Sequence, residues 1–199
     1  MRVITGSAGG RKLEQLVGDD VRPTTDRVKE AVFSIIQFDI EGRRFLDLFA
    51  GSGQMGIEAL SRGAKEAVFV DNRRESIAIV KRNLAATKLA DNAKVVQMDS
   101  VSYLNMGREK FDFLFLDPPY GTGLLQAALA KAEAVMNKGG LILCESPVAE
   151  ELPHSLAEFV KYREYKHGKI KITSYCHNDF ADNKKLGIGE KSKRQKGQR

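Results

Sequence analysis

The stretch RFLDLFAGSGQMG, residues 44–56, decides the fold. It begins as an apolar strand-like run and continues into three glycines spaced Gly51-x-Gly53-x-x-Gly56, after which a helical pattern begins. Asp71 follows Gly51 by twenty residues and ends the next apolar run. A glycine turn between a strand and a helix, with an acid after the following strand, is typical of folds that bind an adenosine cofactor. A tight turn without a ligand is the simpler interpretation of the glycines alone.

Further apolar runs alternate with helix-length segments along the chain. The runs cover residues 44–49, 66–71, 93–99, 111–117 and 140–145. This alternation predicts an α/β fold, a parallel sheet with helices on both faces and ligands beyond the carboxyl ends of the strands. An acid lies at or near the end of each run, namely Asp47, Asp71, Asp99, Asp117 and Glu145. Residues 159–176 have the pattern of a closing antiparallel hairpin that turns near His167.

Charge and composition limit the class of protein. The 199 residues have a net charge of +6, and residues 184–199 hold all of that excess. This basic tail is either a solvated extension or an electrostatic anchor for a polyanion such as RNA. The two cysteines lack the spacing of a metal site or disulfide framework. The N-terminal residues lack the apolar core of a signal peptide. No apolar run approaches the ~18 residues that cross a bilayer. We expect a soluble, cytoplasmic protein without a metal.

The glycine loop alone leaves the cofactor open between a nicotinamide dinucleotide and S-adenosylmethionine. The dinucleotide would place its pyrophosphate on the loop, whereas S-adenosylmethionine would place its amino and carboxylate groups there. Asp47, four residues before Gly51, is positioned to meet an amino group. Asp71 suits ribose hydroxyls, and Asp99 suits an adenine amine. Acidic strand ends favour a cationic cofactor, and S-adenosylmethionine carries a sulfonium.

The stretch FLFLDPPYGTG, residues 113–123, predicts a rigid corner at the end of a strand. Neither Pro118 nor Pro119 can donate to a sheet, so the strand has to end at Asp117. The Asp117 carboxylate and the Pro118 carbonyl are two fixed acceptors that could take both hydrogens of an exocyclic amine and localise its lone pair. Tyr120 could stack on the base. A strand terminator with a surface tyrosine is the plainer interpretation.

The chain resembles the RsmD family of bacterial rRNA guanine-N2 methyltransferases. The resemblance rests on DLFAGSG and LDPPY together with GSAGGRKL (6–13) and RPTTDRVKEAVF upstream. It implies a Rossmann-like class I methyltransferase with a mostly parallel seven-stranded sheet, an antiparallel C-terminal strand, and a small N-terminal hairpin plus helix. It also implies transfer of a methyl group from S-adenosylmethionine to the N2 amine of a guanine in 16S rRNA, within a small-subunit particle, by an enzyme that we expect to be a monomer.

The resemblance also implies roles for individual residues. The catalytic motif would be Asp117, Pro118, Pro119 and Tyr120. The cofactor would be bound by Thr24, Asp47, Phe49, Ala50, Gly51, Ser52, Gly53, Asp71, Asn72, Asp99 and Ser100. The N-terminal hairpin would face the RNA, and the basic residues we expect to contact it are Arg2, Arg11, Lys12, Arg22 and Arg27.

Three alternatives remain open. Methylation of adenine N6 in DNA would use the same corner, although sequence-specific enzymes of that kind usually carry an additional target-reading domain. A nicotinamide dehydrogenase would explain the glycine loop but not the two prolines. A non-catalytic RNA-binding assembly factor would keep the fold without the reaction. The expected organisation is an N-terminal extension at 1–40, a methyltransferase domain at 41–176 and a basic tail with little order at 177–199.

Overall fold

One mixed sheet of eight strands organises the chain, in a computed structural model that describes residues 1–16 and 26–185. The strands are β1 (Arg44–Asp47), β2 (Glu66–Asp71), β3 (Ala93–Gln97), β4 (Phe111–Leu116), β5 (Met136–Pro147), β6 (Ser155–Leu156), β7 (Phe159–His167) and β8 (Ile170–His177). The α-helices are α1 (Asp26–Ile36), α2 (Gln54–Ser61), α3 (Arg74–Thr87), α4 (Ser100–Met106), α5 (Leu124–Ala132) and α6 (Asn178–Lys185). Arg22 and Thr24, and the tail from residue 186, lie outside the described residues.

The strand order is β3-β2-β1-β4-β5-β8-β7-β6. Strands β1 to β5 are parallel, and β8, β7 and β6 join antiparallel beyond β5. The predicted fold class is confirmed, and the hairpin of β7 and β8 turns where the sequence places it. The eighth strand, β6, was missed because two residues are too few to show a periodic pattern. Chain order reverses between β1 and β4, and ligands bind open α/β sheets beside such a reversal.

Two apolar layers cover the sheet because successive residues of each strand point to opposite faces. Phe45 and Phe113 pack with α1, α2 and α3, whereas Leu46 and Leu114 pack with α4 and α5. Within α1, Val28, Val32 and Ile36 are buried at helical spacing, and Ile35 is partly buried. The parallel strands are apolar on both faces, which leaves their carboxyl ends as the place for polar groups.

The N-terminal segment, residues 1–16, forms the predicted hairpin in a short version. Its two arms meet in one antiparallel bridge, between Arg2 and Lys12, and the Val3 N–H donates to the Arg11 carbonyl at 2.9 Å. Other backbone groups of the segment bond to α2. The fully buried Glu58 carboxylate accepts from the backbone N–H groups of Ile4 (2.7 Å) and Thr5 (3.1 Å). Lys29 of α1 is also buried, lies 4.0 Å from Glu58 and donates to the Arg2 carbonyl. Burial lowers the pKa of Lys29, and the charges of Glu58 and Asp26 oppose that shift.

Ser61 completes this attachment. Its hydroxyl donates to the Thr5 carbonyl at 2.6 Å and accepts from the Ala8 N–H at 2.9 Å, while its own carbonyl accepts from the Ser7 N–H at 2.8 Å. Gly6 sits against this group with a φ of +86°, a conformation that favours glycine. The N-terminal segment is therefore fastened to α2 by polar contacts.

Replacing Gly6 by alanine will lower thermal stability more than the matched Gly10→Ala change. Both glycines have a positive φ, +86° and +80°, so each substitution incurs left-handed strain of about 1–2 kcal/mol. Only at position 6 would the new Cβ lie 1.8 Å from the Ser61 carbonyl oxygen; no heavy atom lies within 4 Å at position 10. By calorimetry we expect a fall in Tm of about 2–6 °C for Gly10→Ala and at least about twice that for Gly6→Ala. Equal falls would contradict the contact.

Helix α6 occupies residues for which the sequence predicts little order. It begins directly after β8, and the Asn178 N–H donates to the Glu158 carbonyl at 2.8 Å. Asp179, in the first turn, pairs with Lys138 at 2.8 Å. The expected boundary at residue 177 therefore marks the end of the sheet rather than the end of regular structure.

Candidate active site

A cavity of about 710 Å3 opens where the carboxyl ends of the parallel strands meet. Its lining includes nearly all the described residues that the sequence assigns to the cofactor and to catalysis: Asp47, Phe49, Ala50, Gly51, Ser52, Asp71, Asn72, Asp99, Ser100, Asp117, Pro118, Pro119 and Tyr120. These residues come from the ends of four strands, which the parallel topology brings to one edge. The glycine loop and the proline corner therefore share one cleft.

The glycine loop is held from beneath by Asp71. Its Oδ2 accepts from the Gly51 N–H at 2.9 Å, and its Oδ1 accepts from the Arg73 N–H at 2.9 Å. The Asp71 side chain is buried, so both bonds are shielded from water. Gly51 has a φ of +54°, which permits the turn between β1 and α2. The carboxylate and the loop thus form one preorganised surface.

Gly53 differs from its neighbours because it lies below the loop rather than in the lining. Its N–H donates to the Ala50 carbonyl at 2.7 Å, and an added Cβ would lie 3.1 Å from Val80 and 3.3 Å from the Phe69 ring. At Gly56 the same Cβ would lie 2.3 Å from Phe69. These two glycines allow close packing of helix on sheet, and the cofactor contact of Gly53 stays a prediction.

Asp47 is a buried carboxylate at the end of β1, 2% exposed. Its Oδ2 accepts from the Gly56 N–H at 3.0 Å. Burial raises the pKa of Asp47 to about 7, the Gly56 bond opposes that rise, and the charge of Asp71 adds to it. A carboxylate held this far from water is strongly stabilised by a cation placed beside it. The site therefore suits a ligand with an ammonium or sulfonium group.

Asp99 and Ser100 begin α4 beside the end of β3. The exposed Asp99 is the N-cap, its Oδ1 accepting from the Ser102 N–H at 2.8 Å, and this bond lowers the pKa of Asp99. The Ser100 hydroxyl donates to the Leu48 carbonyl at 2.7 Å, so that side chain braces the cleft. Asp99 stays ionised and retains acceptor capacity for an amine such as that of adenine.

The proline corner directly follows β4. Asp117 is half-buried, Pro118 is buried, and Pro119 and Tyr120 are exposed. The Thr122 hydroxyl donates to the Pro119 carbonyl at 2.7 Å and closes the turn. The Tyr120 hydroxyl donates to Glu145 Oε1 at 2.5 Å. The Asp117 carboxylate and the Pro118 carbonyl are thus presented by a backbone with little freedom to move.

Asn83 joins the cofactor loop to the N-terminal segment. It is a buried residue of α3, and its Nδ2 donates to the carbonyls of Ser52 (2.9 Å) and Glu14 (3.0 Å). Its Oδ1 accepts from the Glu14 N–H at 2.8 Å. This junction places Gln15 and Leu16 in the lining of the cavity. Sequence reasoning missed it because a lone asparagine in a helix carries no motif.

Replacing Asn83 by alanine will weaken cofactor binding by about tenfold, since three backbone groups lose their partner, the buried Ser52 carbonyl among them, and the loop loses its brace. Arg82→Ala is the matched control, because Arg82 pairs with the side chain of the same Glu14 at 2.7 Å but in an exposed setting. We expect that control to change affinity by less than about twofold. Titration calorimetry with S-adenosylmethionine measures both. Equal losses would show that attachment of Glu14, and not the brace on Ser52, controls the affinity.

The predicted RNA-binding residues do not join this cleft. Arg2, Arg11 and Lys12 are exposed on the N-terminal segment, and Arg27 is exposed on α1. Arg11 donates to the Ala86 carbonyl at 2.8 Å, so part of its hydrogen-bonding capacity is used within the chain. These four residues provide the exposed basic surface of the N-terminal segment and α1, and none of them lines the cavity.

Several lining residues lay outside the sequence prediction. They are Met1, Gln15, Leu16, Gln54, Met55, Arg73, Phe115 and Leu124. Gln54 follows the glycine loop directly, and its buried Oε1 has no hydrogen-bond partner among the described residues. Its place at the start of α2 is the only feature of the sequence that points to a role in the site.

Within residues 1–16 and 26–185, no three His, Cys, Asp or Glu side chains are grouped to hold a metal. No helix of the same described part is long and apolar enough to span a bilayer.

The donor set fits S-adenosylmethionine better than a dinucleotide. Asp47 offers a buried negative charge to an amino group, Asp71 and Asp99 offer acceptors to ribose and adenine, and the orphaned Gln54 oxygen offers one more acceptor. A pyrophosphate would meet these carboxylates as an anion, which costs electrostatic energy. The cleft is therefore built for a cationic adenosine cofactor.

Comparison with known proteins places this cleft among methyltransferases. A family model described as conserved hypothetical protein 95 matches residues 1–176. The YlbH protein of Bacillus subtilis (strain 168) is 39% identical over 180 residues, which are 88% of this chain and 98% of that protein. The protein of Escherichia coli (strain K12) named ribosomal RNA small subunit methyltransferase D is 36% identical over 177 residues, which are 88% of this chain and 89% of that protein.

Solved structures agree with this placement. The yhhF protein from Escherichia coli superimposes with a TM-score of 0.79 at 37% identity, over 89% of this chain and 97% of that chain. The Thermus thermophilus 16S rRNA N2 G1207 methyltransferase RsmC, in complex with AdoMet and guanosine, has a TM-score of 0.66 at 24% identity, over 80% of this chain and 44% of that chain. The second likeness concerns the fold alone.

Proposed function

Because this chain belongs to the RsmD family, the family described as conserved hypothetical protein 95, we propose that it methylates the N2 amine of a guanine in 16S rRNA. The observation that carries the proposal is the shared cleft. Asp47 and the glycine loop line it together with Asp117 and Pro118, which follow the neighbouring strand β4. A cofactor site and an amine-gripping corner in a single cavity are what methyl transfer to a base requires.

The cofactor is S-adenosylmethionine, as the sequence predicts. We assign its amino group to Asp47, its ribose to Asp71, and its adenine amine to Asp99 with Asn72 and Ser100 nearby. Residues 49–52 approach it from the loop. When bound, it supplies an electrophilic methyl group. Thr24, which lies outside the described residues, is also proposed to lie near it.

The work of the chain is to prepare the amine. The lone pair of an exocyclic guanine amine is delocalised into the ring, which makes it a poor nucleophile. Asp117 and the Pro118 carbonyl, accepting one hydrogen each, would localise that lone pair and aim it into the cleft. Since the turn is already closed by Thr122 and Pro119, little reorganisation is needed on binding. After transfer the amine becomes acidic and loses a proton to Asp117 or to water, so Asp117 need not act as a base beforehand.

Substrate delivery is proposed to use the basic surface of the N-terminal segment and α1. Arg2, Lys12 and Arg27 are exposed and suited to binding phosphates. Arg11 would contribute the guanidinium N–H groups that do not bond to the Ala86 carbonyl. Arg22 belongs to the same proposal, although it lies outside the described residues. We further propose a monomeric cytoplasmic enzyme acting on a small-subunit particle, with residues 1–40 as the substrate-facing extension, 41–176 as the methyltransferase domain and 177–199 as a basic tail.

Transfer of labelled methyl from S-adenosylmethionine tests the proposal. The substrates are small ribosomal subunits, protein-free 16S rRNA and DNA, with the RNA taken from cells that lack the enzyme, and the labelled base is identified by nucleoside analysis. We expect label in N2-methylguanine of the RNA. Label in adenine of DNA would mean that the proposed substrate is wrong, but it would leave the proposed role of Asp117 and Pro118 unchanged. Cofactor binding without label on any substrate would mean that the substrate class is wrong, whereas a non-catalytic assembly factor that has lost its site would not bind the cofactor.

A further inference from the structure

Glu145 stands beside the catalytic corner with no role in the mechanism above. It follows Cys144 in β5, and Cys144 is aligned with Leu116, the residue before Asp117. Asp117 and Glu145 are therefore the next residues in register on adjacent parallel strands, with backbones about 5 Å apart. Leu116 and Cys144 both point into the core under α4 and α5, so alternation directs Asp117 and Glu145 to the opposite face. Both carboxylates line the cavity.

The setting of Glu145 is unusual for a strand-end carboxylate. Its side chain is buried at 4% exposure, and its Oε1 accepts from the Tyr120 hydroxyl at 2.5 Å. Tyr120 itself is 37% exposed and belongs to the turn beyond the two prolines. The tyrosine thus covers the carboxylate from the solvent side, and a donor that displaced its hydroxyl would meet a desolvated acceptor. Buried acceptors of this kind bind and discriminate strongly.

The edge of guanine has the complementary pattern. Its N1–H donor is adjacent to the N2 amine, and both point in the same direction. If Asp117 and Pro118 hold the N2 amine, the next acceptor along the cleft wall meets N1–H. Adenine has an unprotonated N1 in the corresponding place, and its lone pair would face the carboxylate charge.

We propose that Glu145 accepts the N1–H of the target guanine and is the residue that makes the cleft specific for guanine, an inference that rests on the proposed function. The Tyr120 hydroxyl occupies this acceptor until the base arrives. Exchange of the phenol O–H for the base N–H leaves the Glu145 carboxylate with a donor throughout. The same exchange releases the Tyr120 ring to stack on the base.

The proposed role of Glu145 can be tested separately from the binding of the 2-amine by Asp117 and Pro118. The test needs a base that keeps the 2-amine but has a hydrogen-bond acceptor instead of a donor at N1. 2,6-Diaminopurine retains the exocyclic 2-amine and has an acceptor at N1. We would assemble 16S rRNA by ligation so that the target position alone carries guanine or 2,6-diaminopurine, and measure methyl transfer to N2 for each. The wild type should prefer guanine by roughly tenfold to hundredfold.

The Glu145→Gln variant should lose that preference, to within about threefold, because a side-chain amide can either accept from guanine N1–H or donate to the diaminopurine N1. Glu151→Gln, the same change at an exposed residue outside the cavity lining, should keep both the rate and the preference. Calorimetry with S-adenosylmethionine verifies that each variant retains its cofactor site. An undiminished preference in Glu145→Gln would overturn the inference, whereas a wild type that labels N2 of neither base would instead remove the proposed function.

Discussion

Substituting Asp117 by asparagine will lower the rate of methyl transfer by about 10²–10³-fold. The asparagine side chain has nearly the same shape, but it is neutral, accepts a hydrogen bond more weakly and cannot take up the proton that the methylated amine loses. Its amide N–H groups would also face the hydrogens of the substrate amine. The turn after position 117 is closed by the bond from Thr122 to the Pro119 carbonyl, so we expect the backbone of the variant to stay in place.

Single-turnover transfer to RNA measures this loss, and cofactor affinity supplies the internal control. We expect the Kd for S-adenosylmethionine to change by less than about twofold, since the interaction removed is needed in the transition state rather than for cofactor binding. Asp91→Asn, at an exposed residue of the turn between α3 and β3 and outside the cavity lining, should leave both quantities unaltered. A rate within a few-fold of the wild type would mean that the Pro118 carbonyl alone suffices to prepare the amine.

Substituting Asp47 by asparagine will weaken the binding of S-adenosylmethionine by about 10- to 100-fold, the range for loss of a buried charge-assisted hydrogen bond. The asparagine carbonyl can still accept from Gly56, so the start of α2 should stay in place. Because the pKa of Asp47 is raised to about 7, the wild type should also lose affinity as the pH falls from 7.5 to 6 and its carboxylate is protonated. Binding should then release protons, detected by calorimetry in buffers of different ionisation enthalpy.

The same raised pKa predicts the opposite effect on the stability of the cofactor-free protein. Asp47 holds its proton up to about pH 7 when folded but loses it near its ordinary value of 3.8 when unfolded. The folded state therefore binds more protons between these limits, and the stability that this group contributes falls as the pH rises from about 4 to about 7. Asp47→Asn should remove that fall and have the higher Tm at pH 8. Buffer-independent binding enthalpy together with an unchanged Tm would contradict the assignment.

The sequence predicts the sheet and the cleft because both depend on short periodic signals. Strands that are buried on both faces read as unbroken apolar runs, and the parallel order forces their acidic ends to one edge. Strand order, the glycine spacing and the family resemblance together assign Asp47, Asp71 and Asp117 to one site, and the structure places all three in one cavity. A glycine spacing indicates a turn but not which glycine faces a ligand. Gly53 packs close to Val80 and Phe69 below the loop, and its cofactor contact stays a prediction.

The attachment of the N-terminal segment was beyond prediction for a physical reason. Lys29 and Glu58 are charged residues within helices, and such residues usually face solvent. They are buried here because each bonds to the backbone of residues more than twenty positions away. Lys29 donates to the Arg2 carbonyl, and Glu58 accepts from the N–H groups of Ile4 and Thr5. Pairing of this kind leaves no trace in local pattern.

That attachment has a consequence for the order in which the protein is made. The first residues of the chain leave the ribosome well before α2 and α3. The backbone N–H groups of Ile4 and Thr5 cannot bond to Glu58, nor that of Glu14 to Asn83, until those helices have been synthesised. Contacts between such distant residues form late in folding, after the entropy of closing the intervening loop has been overcome. One wall of the cleft therefore cannot be assembled during early synthesis. A nascent chain that ends before Asn83 lacks the junction that holds this wall to the glycine loop.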